Sequence, residues 1–197
     1  MRRFALLLCL LVFTPACWVS RNAKLDYAVE PGLQALEPGP DEAVVVFLRP
    51  AFTGHAISAV VYEDDAFVSI VMARSHVVHR TTPGQHRYMV VSESADFLDA
   101  ELEGGTVSFV EVQPRMGAWR ARFSLAAFDA PERADDLAEW LAESHAVTPN
   151  DLASQWSVES ADSVAQRAAE NLPRWLEKED RPQLTPDQAL SAWPPGS

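Results

Sequence analysis

The chain has 197 residues, with 28 Asp and Glu against 16 Lys and Arg, and a formal net charge of -12. Such an acidic balance argues against nucleic acid as a partner and against docking on anionic lipid through basic patches. The length accommodates one ordinary domain plus an appendage.

Arg2 and Arg3 precede an uninterrupted run of ten apolar residues, Phe4 to Phe13, followed by Thr14-Pro-Ala-Cys17. A stable bilayer anchor needs ~20, so the pattern is that of a secretory signal with small residues at its cleavage point. A buried N-terminal element is the competing explanation. Core elements, however, rarely carry two arginines ahead of them and no polar face. Ala16-Cys17 resembles the lipobox of bacterial lipoproteins, in which the cysteine after the cleavage site becomes the diacylated N-terminus. Thr14 stands where the lipobox usually has Leu, which leaves ordinary signal cleavage and a secreted or periplasmic product as the alternative. Cleavage before Cys17 removes Cys9, so no internal disulfide can form, and lipidation consumes a thiol that would be a liability in an oxidising compartment. The expectation is a signal peptide over residues 1–16, lipidation at Cys17, and a lipid-anchored protein of the cell envelope. The outer membrane of a Gram-negative bacterium is the expected site. Loss of Arg2 and Arg3 takes the formal charge from -12 to -14.

Residues 17–40 lack sustained periodicity and end in Glu-Pro-Gly-Pro, which reads as a tether. From Ala43 the pattern becomes that of short strands: 43–49, 57–63, 66–72, 76–81, 86–92, 98–102, 106–112 and 119–125. Asp64-Asp65 suits a hairpin turn, and at Pro83-Gly84 proline presets one corner while glycine supplies positive φ at the next. Short strands at intervals of ~8–12 residues with turn residues between them indicate an antiparallel β-sandwich or partly open barrel. No intervening segment suits a βαβ crossover, so parallel pairing is not expected. Residues 41–128 should form this domain and fold alone.

After Phe128 the period turns helical, making 129–197 an acidic, tryptophan-containing helical tail. It carries 14 acidic and 5 basic residues over 126–197, against 11 and 7 over 41–125. Asp129-Ala-Pro-Glu132 resembles a capping box. Leu137, Trp140, Leu141 and Val147 then share a face with Ala134 and Ala138, so Trp140 is expected to be buried. A second helix starts at Thr148-Pro149 with Leu152 and Trp156. A third follows from about Val158, broken or kinked at Pro173, and Thr185-Pro186 opens a last turn. Trp193, beside a Pro-Pro-Gly terminus, should contribute little. The stretch Trp140-Leu, Val147-Thr-Pro, Ser154-x-Trp156 is echoed by Trp175-Leu, Leu184-Thr-Pro, Ser191-x-Trp193. That is either a duplicated helix–turn–helix unit or recurrence of good helix starts.

In the β region, Val-Val-Phe-Leu-Arg-Pro (45–50), Phe52-Thr-Gly-His-Ala-Ile-Ser-Ala-Val-Val-Tyr62, Pro83-Gly-Gln-His86 and Glu103-Gly-Gly-Thr106-Val-Ser-Phe-Val-Glu-Val112 occur in order. Together they resemble DUF2846, a family of bacterial lipoproteins defined by a domain of unknown function, over roughly residues 44–113. The hairpin at Asp64-Asp65 lacks that family's usual Gly, and the last stretch lacks its Lys and paired Tyr. The resemblance implies an envelope β-domain and no established activity.

The chemistry-bearing candidates are few. His76 and His79 lie three apart on a strand and so point to opposite faces, leaving at most two imidazoles with His86 on one side where zinc usually wants three or four ligands. His86 itself is expected to pack or hydrogen-bond at the sheet edge. Glu63-Asp64-Asp65 lacks the Asp-x-Asp-x-Asp-Gly spacing of a calcium loop. No nucleophile elbow, zincin helix or phosphate-cradling glycine loop is present. The tail tryptophans should dock Ala-rich helices, with a partner-binding aromatic surface as the alternative. The expected function is a non-catalytic binding or structural role, without cofactor or metal. Its partners would be the membrane, through the lipid, and an envelope protein. An envelope hydrolase with a loop-borne site and a periplasmic carrier or chaperone for an apolar ligand are the competing readings.

Overall fold

The computed structural model describes residues 21–116 and 121–195, so the signal segment, Cys17 and Trp119 lie outside the described residues. The strands are β1 (Leu25–Tyr27), β2 (Ala43–Arg49), β3 (Ala59–Glu63), β4 (Ala66–Val71), β5 (Ser75–Thr81), β6 (Gly84–Val91), β7 (Ala95–Leu102), β8 (Thr106–Met116), β9 (Ala121–Phe128), β10 (His145–Pro149) and β11 (Gln183–Leu184). The helices are α1 (Ala134–Ala142) and α2 (Asp151–Leu176). The fold is mainly β, as expected, in two sheets ordered β1-β10-β5-β2-β8-β9 and β11-β7-β6-β3-β4.

Pairing is mixed rather than purely antiparallel: β2 runs parallel to β8, β10 to β5 and β11 to β7. A parallel pair needs a long connection, and a helix is only its usual form. Here the chain leaves β2, builds β3 and β4 in the second sheet, returns to pair beside β2 as β5, crosses again for β6 and β7, and comes back on the other side of β2 as β8. The excursion through the other sheet serves as the crossover. Within it, Asp64 adopts φ 49° at the β3–β4 turn, a left-handed conformation that Asp tolerates, so the hairpin forms without Gly.

Strand β2 is buried along its whole length, AVVVFLR, because both faces of its sheet are covered. Val45 and Phe47 point toward the second sheet, where Phe47 meets Tyr88 edge-on with ring centroids 5.1 Å apart. Val44, Val46 and Leu48 point the other way, into a second cluster with Phe109, Phe128, Leu137, Leu141, Leu36 and Trp193. The second sheet is likewise covered on its far face. Its Phe97 packs on Trp175 of α2 at 5.6 Å and Phe67 on Trp156 at 6.5 Å. The order is therefore α1 with the C-terminal segment, sheet, sheet, α2.

Arg49 ends β2 on the inner face and is fully buried. Its Nη1 donates to the Ile57 carbonyl (2.9 Å) and its Nη2 to those of Thr53 (3.1 Å) and Gly54 (2.7 Å), stapling the 53–57 loop. Gly54 has φ +70°, a left-handed conformation that favours glycine at this turn. Burial lowers the Arg49 pKa to about 10, which leaves it charged at neutral pH.

Several expectations need correction. Within the tether 17–40, Leu25–Tyr27 pairs with β10 as an edge strand and Leu36 exchanges backbone hydrogen bonds with Trp193. The segment 129–197 is interleaved with the β-domain: β10 lies between β1 and β5, and β11 extends the second sheet beside β7. Thr148-Pro149 therefore belongs to a strand. The two expected helices after it are one 26-residue helix, N-capped by Asn150, whose side chain accepts from Leu152 N and Ala153 N. Pro173 lies inside the last turns without ending them. Asp129 Oδ1 accepts from Glu132 N, but the residue before α1 is Arg133, which makes no side-chain cap. Trp140 is half-buried against Phe128 and Arg133, whereas Trp175 is 2% and Trp193 7% exposed. Trp193 is held because its backbone pairs with Leu36 and its ring meets Phe109 at 5.6 Å, which proximity to the terminus does not reveal. The sequence echo has a structural counterpart. Each copy runs from a helix end through a short strand paired in parallel, β10 or β11, with Val147 or Leu184 buried.

Candidate functional site

At one end of the sandwich, inward-facing positions of β3, β5 and β6 carry Glu63, His79, Thr81, His86 and Tyr88. The registers Val45↔His79 and Glu63↔Tyr88 place them between the sheets. Glu63 gathers them. His79 Nε2 lies 3.0 Å and His86 Nδ1 2.7 Å from its carboxylate, while Thr81 Oγ1 donates at 3.0 Å and Tyr88 OH at 3.2 Å. Burial by itself would raise the Glu63 pKa. Hydrogen bonds from His79 and Thr81 and the charges of His79 and His86 outweigh it and hold the group below its ordinary range. The Tyr88 hydroxyl is pushed upward by burial and by the facing Glu63 carboxylate. A general base works best with a pKa near the operating pH, so a carboxylate held low by its neighbours is better suited to closing the end of the core than to abstracting protons. His86 Nε2 is also engaged, 2.9 Å from the Thr82 carbonyl. The two imidazoles sit at hydrogen-bond distance from the carboxylate, and no three-residue metal-ligating group occurs among the described residues.

His76, on the opposite face as its spacing requires, is fully buried, with Nδ1 2.6 Å from Ser144 Oγ. Ser144 Oγ donates in turn to the Leu141 carbonyl at 3.1 Å, which assigns the proton between them to His76 Nδ1. Burial, and secondarily the charge of His145, lower the His76 pKa from 6.5 to about 4. Below pH 6.5 the unfolded chain therefore binds a proton that the folded chain refuses until about pH 4. This contribution to stability is constant above that window and is lost as the pH is lowered through it, at up to about 1.4 kcal/mol per pH unit. Denaturant titrations across the window should show the slope in the wild type and a flatter one in His76→Gln. Parallel curves would exclude His76 as its source.

A second feature lies where the β8–β9 ladder meets the C-terminal part of α2. A surface cleft of about 460 Å³ is lined there by Arg115, Arg122, Arg174, Lys178, Asp96, Asn171, Phe123, Ser124 and Trp175, together with Ser94 and Ala95. Lys178 Nζ pairs with Asp96 at 3.3 Å, and Arg115 Nε donates to Ser124 Oγ at 2.7 Å. Arg115, Arg122 and Arg174 have no carboxylate partner among the described residues. Arg115 and Arg122 moreover face each other across the ladder, a like-charge pairing that costs stability. The floor is aromatic, Phe123 at 3% and Trp175 at 2% exposure, and the buried indole Nε1–H of Trp175 has no hydrogen-bond partner.

No family model matches the chain, and no curated protein or solved structure does.

The residues that meet in this cleft escape sequence reasoning because they come from β8, β9, the start of β7 and the end of α2, and none forms a motif. The tail from which Arg174 and Lys178 come is acidic as a whole. The only signal available was the pair of arginines, Arg120 and Arg122, flanking Ala121 in an alternating strand, and it reads equally well as a solvated face. Of the residues that sequence did single out, Glu63, His79 and His86 converge, His76 stands apart on the other face, and Cys17 lies outside the described residues.

Proposed function

We propose that this protein is a non-catalytic lipoprotein of the bacterial cell envelope, anchored in the outer membrane through Cys17, which works by binding a partner or ligand at the basic cleft. Membership of the DUF2846 family is part of the proposal and rests on the ordered residues of 44–113. The observation that carries the binding role is the set of arginines in the cleft left without carboxylates in a chain of net charge -12. Charged side chains held together against their mutual repulsion are better explained by a ligand of opposite sign than by stability. Supporting the non-catalytic side, the titratable groups gathered around Glu63 satisfy one another. The carrier reading gains no support from the space under α2, because Val164, Ala168, Leu172 and Trp175 fill it against the sheet.

The anchor is tested separately. Cys17→Ser should turn a product that needs detergent for release into a soluble or unprocessed one. Equal detergent dependence of the two proteins would refute lipidation.

A further inference from the structure

We propose that the cleft between the β8–β9 ladder and the end of α2 is a binding site for a phosphoryl group. The inference deepens the binding role above and rests on it. Three arginines and a lysine line one concavity, and the only carboxylate lining it among the described residues, Asp96, is spent on Lys178. The planar forks of Arg115, Arg122 and Arg174 offer several donors each, a geometry that matches tetrahedral phosphoryl oxygens. Juxtaposition of Arg115 and Arg122 is unfavourable in the empty site and becomes favourable when a dianion sits between them. Independent of these charges, the Trp175 indole N–H is a buried donor without an acceptor. Native proteins seldom leave such a group unsatisfied, and because Trp175 lines this same cleft its N–H resonance reports on occupancy there. Phe123 and Trp175 add an apolar floor for the body of the molecule that bears the phosphoryl group.

The phosphoryl group could be that of a soluble phosphomonoester or of a lipid headgroup, and two arms separate them. The full chain, purified in detergent and labelled with ¹⁵N, is titrated with glycerol phosphate while the Trp175 indole N–H resonance is followed. Trp175→Phe identifies that resonance. In parallel, binding is compared on phosphatidylcholine vesicles with and without phosphatidic acid. Any acyl anchor acts equally on both compositions, so their difference reads the cleft. Saturable movement of the Trp175 resonance supports the site with a soluble source. Preference for phosphatidic acid without response to glycerol phosphate supports it with a lipid source. In either case Arg122→Gln and Arg174→Gln, both exposed, should weaken binding about tenfold each, while Arg133→Gln, paired with Asp136 away from the cleft, should not. Absence of binding in both arms, or binding that the cleft variants leave unchanged, overturns the proposal. Release of inorganic phosphate from the probe would refute the non-catalytic reading and leave the phosphoryl site standing.

Discussion

A chain ending at Phe128 should fail to form a stable β-domain, even though the strands from β2 to β9 all lie within it. Deleting 129–197 removes Leu137, Leu141, Val147, Val164, Trp175, Leu184 and Trp193, all buried in the complete molecule. At ~1.5–3 kcal/mol for each large apolar side chain, the gross loss rivals the whole stability margin of ~5–15 kcal/mol for a domain. The lost segment's own ordering entropy offsets part of it. The damage is also geometric. Without β10 the backbone edge of β5 is opened, β1 loses its only neighbour in the sheet order, and the outer faces of both sheets expose Val44, Val46, Leu48, Met89 and Phe97 to water. The chain truncated after Phe128 should therefore aggregate, or give a near-ultraviolet circular dichroism spectrum without fixed tertiary signals, and the shorter fragment 41–128 should behave no better. A cooperative melt with native-like signals would show that the two sheets suffice.

Trp175→Ala should cost ~3–5 kcal/mol, the range for truncating a buried Trp. In a chain of this size that corresponds to a fall in melting temperature on the order of 10 °C. Trp175 is 2% exposed and packs on Phe97 across the face of β7. Its ring also lies under the guanidinium groups of Arg87 and Arg181, at 5.3 and 5.6 Å. Each of these loses an attractive partner as well. Trp140→Ala should cost clearly less, since Trp140 is half-buried, and Trp193→Ala should cost more than Trp140→Ala despite its place near the terminus. Thermal unfolding of the three variants followed by circular dichroism checks the ranking. An unshifted Trp175→Ala, or a Trp140→Ala variant as unstable as it, would mean that α2 is not held on the sheet through this side chain.

The difference between these tryptophans marks how far the sequence could be read. Trp140 sits on a clear helical stripe with Leu137 and Leu141, and periodicity correctly put those leucines in a core. Its own exposure depended on how closely α1 approaches Phe128, which no spacing encodes. The β-domain was legible for a local reason: alternation, β-branched runs and turn residues act over a few positions, and Asp64-Asp65 and Pro83-Gly84 turn where their chemistry says they should. His76 and His79 were legible in the same way, because strand side chains alternate faces whatever the strand pairs with.

Strand pairing was not legible, since a ladder is a contract between distant segments. Val147 in β10 and Leu184 in β11 lie in stretches too short to show a period of their own, and each is a strand because an edge of a sheet was there to pair with. The same holds for Leu25–Tyr27, which reads as tether until β10 lies beside it. The sequence by itself determined a mainly β chain with a helical C-terminal part, the opposite faces of His76 and His79, and a signal-like start followed by Cys17. Only the tertiary structure decided that the C-terminal part completes both sheets. It also decided that Arg115, Arg122, Arg174 and Lys178, between four and 63 residues apart in an acidic chain, share one cleft. Net charge is a sum over the chain, whereas a binding surface depends on which charges the fold makes neighbours.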